Sequence, residues 1–150
     1  QACLTGGTRT AHFGRSPMKT LLRSRTLSIS IDCHPDKVFA FVSNPENLPG
    51  WAVGLCKSVS KADVGWTVET SQGPMNLRFV ENNEFGVLDH FVSSGPGIEV
   101  YVPMRVLPNG TGSELIFTLF QLPGMSDDKF AEDAGLVMQD METLKKVLEN

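Results

Sequence analysis

A chain of 150 residues with 41% apolar and 20% charged residues is sized for one domain that buries about 70% of its unfolded surface, which excludes general disorder. No apolar run nears the ~20 residues of a membrane-spanning helix, because Asp, Asn, Gly or Pro interrupts each one. The net charge of −4 is uneven: residues 1–26 carry five Lys/Arg and no acid, leaving −9 on the remainder, a poor electrostatic match for nucleic acid or anionic lipid.

Residues 1–17 show no hydrophobic period and lack the apolar core of a secretory signal. Arg-containing and acid-free, they resemble a mitochondrial presequence or, on the plainer reading, are a leader outside the domain, an added or upstream-translated run before a natural start at Met18, with His12 inert; the domain is expected over 18–150. Cys3, Cys33 and Cys56 form no CxxC pair, and no Cys/His group has zinc spacing. Neither a metal nor a cofactor is expected. The thiols suit a reduced, cytoplasmic protein, with a Cys33–Cys56 bridge left open.

Thr26 to Ile31 alternates polar and apolar, the period of a half-buried strand. Pro35 then opens a helix reaching about Val42, with Val38, Phe39, Phe41 and Val42 as its buried face. Asn44-Pro45 repeats the device for a second short helix that stops near Pro49-Gly50, before Trp51. Between Val53 and Gln121, short strands are expected at about 54–60, 64–70, 75–82, 85–92, 98–106 and 113–121. Their breaks are rich in Gly, Pro, Asn and Asp, and connections so short require hairpins, hence an antiparallel meander.

The last element is the best defined. Ser126 is a good N-cap, with Asp127 and Asp128 in the first turn, where the helix dipole favours negative charge. Met125 can pack on Phe130 as a hydrophobic staple. Phe130, Ala134, Val137, Met141, Leu144 and Leu148 fall on steps of four and three, one continuous stripe. Glu132, Asp133, Gln139, Asp140 and Glu142 mark the opposite, solvated side. A helix from Ser126 to about Leu148 therefore covers one face of the sheet.

The runs Pro35-Asp36-Lys37-Val38-Phe39-Ala40-Phe41-Val42, Asn44-Pro45-Glu46-Asn47-Leu48-Pro49-Gly50-Trp51, Gly86-Val87-Leu88-Asp89-His90 and Val102-Pro103-Met104-Arg105-Val106 resemble the SRPBCC superfamily, also described as START/Bet v 1-like or polyketide cyclase/dehydrase and lipid-transport proteins. The resemblance spans about residues 24–150. It implies an α+β helix-grip fold, a curved antiparallel sheet of about seven strands wrapped around a long C-terminal helix. It also implies a cavity between sheet and helix for a small apolar or aromatic molecule.

His90 is the one strand histidine and a candidate general acid or base for a cyclase- or dehydratase-like enzyme, working with Tyr101 or Arg105; the plain reading is a structural histidine. Asp89, its neighbour, points to the opposite face and cannot orient it. On strand 98–106, Ile98, Val100, Val102, Met104 and Val106 share one face. Glu99, Tyr101 and Arg105 share the other, either as a solvated ladder with Glu114 or with Tyr101 and Arg105 gripping a ligand anion. Strand 75–82 opposes Met75, Leu77 and Phe79 to Asn76 and Arg78, the last with the same two readings.

Trp51 and Trp66 are candidates to stack on a flat ligand, and Phe79, Met104 and Phe117 for its apolar lining. Val137, Met138 and Met141 would line it from the helix. No GxSxG or phosphate loop is present. The readings carried forward are a carrier or binder of a lipid- or polyketide-like molecule, a cyclase- or dehydratase-like enzyme, and a co-chaperone-like interaction module. The expected partner is a small hydrophobic molecule, with no nucleic acid and no membrane span, in a monomer or homodimer.

Overall fold

The computed structural model describes residues 21–150; the leader at 1–17, with Cys3 and His12, lies outside the described residues. The first strand, β1 (Ser24–Ile31), buries Leu27 and Ile31 on one face, as its alternation requires. Pro35 opens α1 (Pro35–Val42), and His34 Nδ1 caps it by accepting from the Asp36 N–H at 3.1 Å. Val38 and Val42 are fully buried. Asn44 Oδ1 accepts from the Glu46 N–H at 3.1 Å, starting a single 3-10 turn (Pro45–Asn47) that runs into α2 (Leu48–Trp51). Neither helix is long enough to stand alone. Both are held by packing.

The remaining strands are β2 (Ser58–Lys61), β3 (Trp66–Thr70), β4 (Gly73–Phe79), β5 (His90–Gly95), β6 (Ile98–Val102), β7 (Met104–Asn109) and β8 (Gly112–Phe120). All pairings are antiparallel: β2-β3-β4-β5-β6 form one sheet and β1-β8-β7 another. The expected strand over 98–106 is thus two strands. Pro103 has no N–H for a ladder, and it stands where the chain leaves one sheet and enters the other. Its carbonyl accepts from the Thr118 N–H at 3.0 Å, which ties the corner to β8.

The expected strand at 85–92 also pairs regularly only from His90. Before it the chain crosses between the sheets: Leu88 N–H donates to Met104 O at 2.8 Å, and Val80 N–H to Asp89 O at 2.9 Å. Gly86 sits at φ +75°, and a Cβ there would clash with the Val106 carbonyl oxygen. We expect Gly86→Ala to cost about 2 kcal/mol or more, measured by urea unfolding; an unchanged midpoint would contradict this close approach. The strand expected from residue 54 begins at Ser58, because 52–57 is turn.

The final helix, α3 (Asp127–Glu149), has Ser126 Oγ accepting from the Lys129 N–H at 3.1 Å. Its stripe is buried at Phe130, Ala134, Met141, Leu144 and Leu148, and each large side chain contributes roughly 1.5–3 kcal/mol. Near its C-terminal end the interior is solid, built from Leu27, Ile31, Val38, Leu115, Leu144 and Leu148. Toward its N-terminal end it is hollow. Asp140, expected on the solvated side, is only 8% exposed. It stands about 60° round the helix from Val137, on the flank of the apolar stripe, and the turn after α2 folds over it, so that Gly54 N–H donates to Asp140 Oδ1 at 2.9 Å.

Candidate functional site

The hollow is a cavity of about 350 Å³ between α2, α3 and the concave side of the strands. Strand alternation explains its sheet wall. On β4, Met75, Leu77 and Phe79 point into it, and β5 adds His90 and Val92. Phe117 and Leu119 of β8 and Met104 of β7 continue the wall, faced by Trp51 of α2 and by Val137 and Met141 of α3. Leu55, Gln72, Lys129 and Leu136 also line it and are solvent-exposed, so they mark its mouth.

Seven of the residues singled out from sequence meet here: Trp51, Phe79, His90, Met104, Phe117, Val137 and Met141. Trp66, Arg105 and Met138 do not line the cavity. Trp66 opens β3 opposite Leu77, and Met138 packs against the core beside it. Tyr101 borders an adjoining hollow of about 230 Å³ with Ile98, Val100, Phe120 and Phe130, which shares Met75, Phe117 and Asp133 with the main cavity. Leu48, Leu77, Val92 and Asp140 also line the main cavity. Strand parity with Phe79 was enough to find Leu77; nothing in the sequence marked Asp140.

Tyr101 and Arg105 grip an anion, but it is the protein's own. Asp89 is 5% exposed, and its Oδ1 accepts from Met104 N–H at 2.9 Å and Arg105 Nε at 3.0 Å. Its Oδ2 accepts from Arg105 Nη2 at 3.0 Å and Tyr101 OH at 2.7 Å. This is a two-pronged guanidinium–carboxylate pair. Burial pushes the Asp89 carboxyl up, and the hydrogen bonds from Arg105, Met104 and Tyr101 with the Arg105 charge outweigh it, holding the pKa at about 2. Neither sequence reading of Arg105 describes this: Glu114 is bonded to Ser30 and Asn109 instead. Arg78 does serve as a cross-strand partner, 3.0 Å from Glu99 and stacked over Phe91 at 4.5 Å.

His90 therefore stands in the cavity apart from Tyr101 and Arg105, which the cyclase reading required beside it. Its ring is 5.0 Å from Phe79 and 6.1 Å from Phe117 between centroids. Nδ1 lies 3.0 Å from the Leu88 carbonyl. A carbonyl only accepts, so Nδ1 carries the proton and Nε2 keeps its lone pair. Burial lowers the His90 pKa, against smaller opposing effects from the Leu88 carbonyl and the Asp89 charge, so the neutral ring is favoured. Burial likewise raises Asp140, with the Gly54 N–H opposing. The Trp51 indole N–H is buried without a partner.

Cys33 and Cys56 are free thiols, and burial pushes Cys56 up, away from thiolate reactivity. Among the described residues no group of His, Cys, Asp and Glu could hold a metal, and no helix is long and apolar enough to cross a membrane.

No protein-family model and no curated protein matches the chain. Its structure is similar to a START superfamily protein from Mycobacterium smegmatis, with TM-score 0.69 and 12% identity over 84% of this chain and 97% of that one. It is similar to the Aha1 dimer protein from Colwellia psychrerythraea, with TM-score 0.67 and 15% identity over 85% and 97%. Ara h 8.0201 matches with TM-score 0.63 and 15% identity, again over 85% and 97%. At these identities the likeness is one of fold: the chain has the α+β helix-grip fold, with eight strands among the described residues.

Proposed function

We propose that the protein binds a small apolar or aromatic molecule, lipid- or polyketide-like, in the cavity under α3. The observation that carries this is the cavity itself: about 350 Å³ is within the range of small-molecule sites. Aromatic and aliphatic side chains dominate its wall, and a few polar atoms are set among them. The apolar wall is open to solvent through the mouth, and an apolar occupant removes that surface from water. Free Cys33 and Cys56 support a reducing, cytoplasmic setting, and the acidic body supports a partner other than nucleic acid. The protein acts as a monomer or homodimer in this reading.

Native mass spectrometry of the protein purified from its own host tests it. The expected result is one co-purifying apolar molecule per chain that leaves on denaturation. Recovery of ligand-free protein that also takes up no neutral aromatic probe would overturn it.

A further inference from the structure

We infer that the cavity selects a neutral apolar molecule bearing a hydroxyl or N–H group, which donates a hydrogen bond to His90 Nε2, over a molecule bearing a carboxylate. This rests on the cavity-binding reading and sharpens it to a ligand class.

His90 lines the cavity and is 8% exposed. With Nδ1 tied back to the Leu88 carbonyl of its own chain segment, the ring has one polar atom left to offer. Nε2 has no hydrogen-bond partner among the described residues, and it is not among the atoms sealed from water. It is an acceptor flanked by Phe79 and Phe117, whose rings offer it no donor. A ligand without a donor would displace water from Nε2 and strand this acceptor, a cost that a ligand hydroxyl or N–H avoids. The Trp51 N–H is out of reach of water-sized space, so it presents no competing donor to the cavity.

The charges around the wall argue the same way. Asp133 and Asp140 line the cavity, and among the described residues Lys129 is its one basic lining residue. Lys129 sits at the exposed mouth, already 3.2 Å from Asp133 and 3.8 Å from Glu132. A carboxylate entering would meet a lone pair at His90, a carboxyl at Asp140 and, among the described residues, no free cation. A desolvated carboxylate without a partner is strongly disfavoured. An alcohol or phenol avoids that penalty.

Three probes of one shape separate the possibilities: 2-naphthol, 2-methylnaphthalene and 2-naphthoate, titrated at neutral pH with fluorescence or calorimetry. We expect 2-naphthol to bind about tenfold tighter than 2-methylnaphthalene, with 2-naphthoate weakest. His90→Phe is expected to bring the ratio of naphthol to methylnaphthalene affinity to about one, whatever it does to the two affinities together. His90→Gln, which restores a side-chain acceptor, is expected to recover part of it. Both variants are first matched to the parent protein by circular dichroism. Equal affinities for naphthol and methylnaphthalene, or tightest binding of naphthoate, would overturn the inference and leave the cavity reading standing. Failure of all three probes to bind ligand-free protein would overturn both.

Discussion

Replacing Asp89 with alanine is expected to lower stability by about 2–4 kcal/mol, although Asp89 touches neither the cavity nor the core stripe of α3. The carboxylate receives four hydrogen bonds, from Met104 N–H, Tyr101 OH and two arms of Arg105. It thereby joins the segment before β5 to both β6 and β7. Met104 is 1% exposed, so its N–H would be stranded. The Arg105 side chain is 46% exposed and regains water, which keeps the loss toward the lower part of the range for a broken buried pair. At this chain length each kcal/mol shifts Tm by about 2–4 °C, so calorimetry should record a drop of several degrees. A drop under about 2 °C would mean that the cluster is not structural.

The same group sets an acid dependence whose sign is fixed. The folded pKa of about 2 lies below the ordinary 3.8, so the contribution is complete above about pH 4. It fades as pH falls toward 2 and amounts to about 2 kcal/mol. Urea midpoints measured between pH 5 and 2 should fall more steeply for the parent protein than for Asp89→Asn. Parallel curves would contradict this. Glu149 is lowered by the Asp32 N–H and by Lys145 and acts in the same window, and the comparison with Asp89→Asn removes it.

Val137→Trp is expected to weaken binding of 2-naphthol, or of any co-purified ligand, by about a hundredfold or more, close to 3 kcal/mol, while leaving Tm unchanged or raised. Val137 lines the hollow and is partly exposed to it, so an indole there extends into existing space. Filling a void avoids the overpacking strain of a tight core. Met141→Arg is a blunter instrument. Met141 is fully buried, and a guanidinium there carries a desolvation penalty of several kcal/mol, so lost binding would be inseparable from lost folding. Unaltered naphthol affinity in Val137→Trp would place binding elsewhere. The smaller hollow beside Phe130 and Tyr101 would then become the candidate.

Much of the fold was legible in local patterns. The Ser126 cap, the 4-3 stripe and the Pro35 and Pro45 helix starts depend on chain neighbours, and the structure has them within a residue or two. The parity of β4 separated Met75, Leu77 and Phe79 from Asn76 and Arg78, and left open which set faced the cavity. The break at Pro103 was also legible, since a prolyl nitrogen cannot donate to a ladder, yet the apolar alternation across 98–106 masked it. Asp140 was the reverse case. Its polarity assigned it to solvent, and only the turn at Gly54, 86 positions away, buries it.

Sequence alone determined the helix starts, the hairpin order of the strands and the apolar stripe of α3, because period, capping and turn chemistry are properties of adjacent residues. It therefore settled that α3 lies over a sheet. Tertiary structure decided how that helix meets the sheet: solid under Leu144 and Leu148, hollow under Val137 and Met141. It also decided that Arg105 and Tyr101 serve Asp89 on one side of the sheet while His90 stands alone on the other. Curvature across Pro103 and partners distant in the chain set these outcomes, and no local pattern encodes a distance between strands.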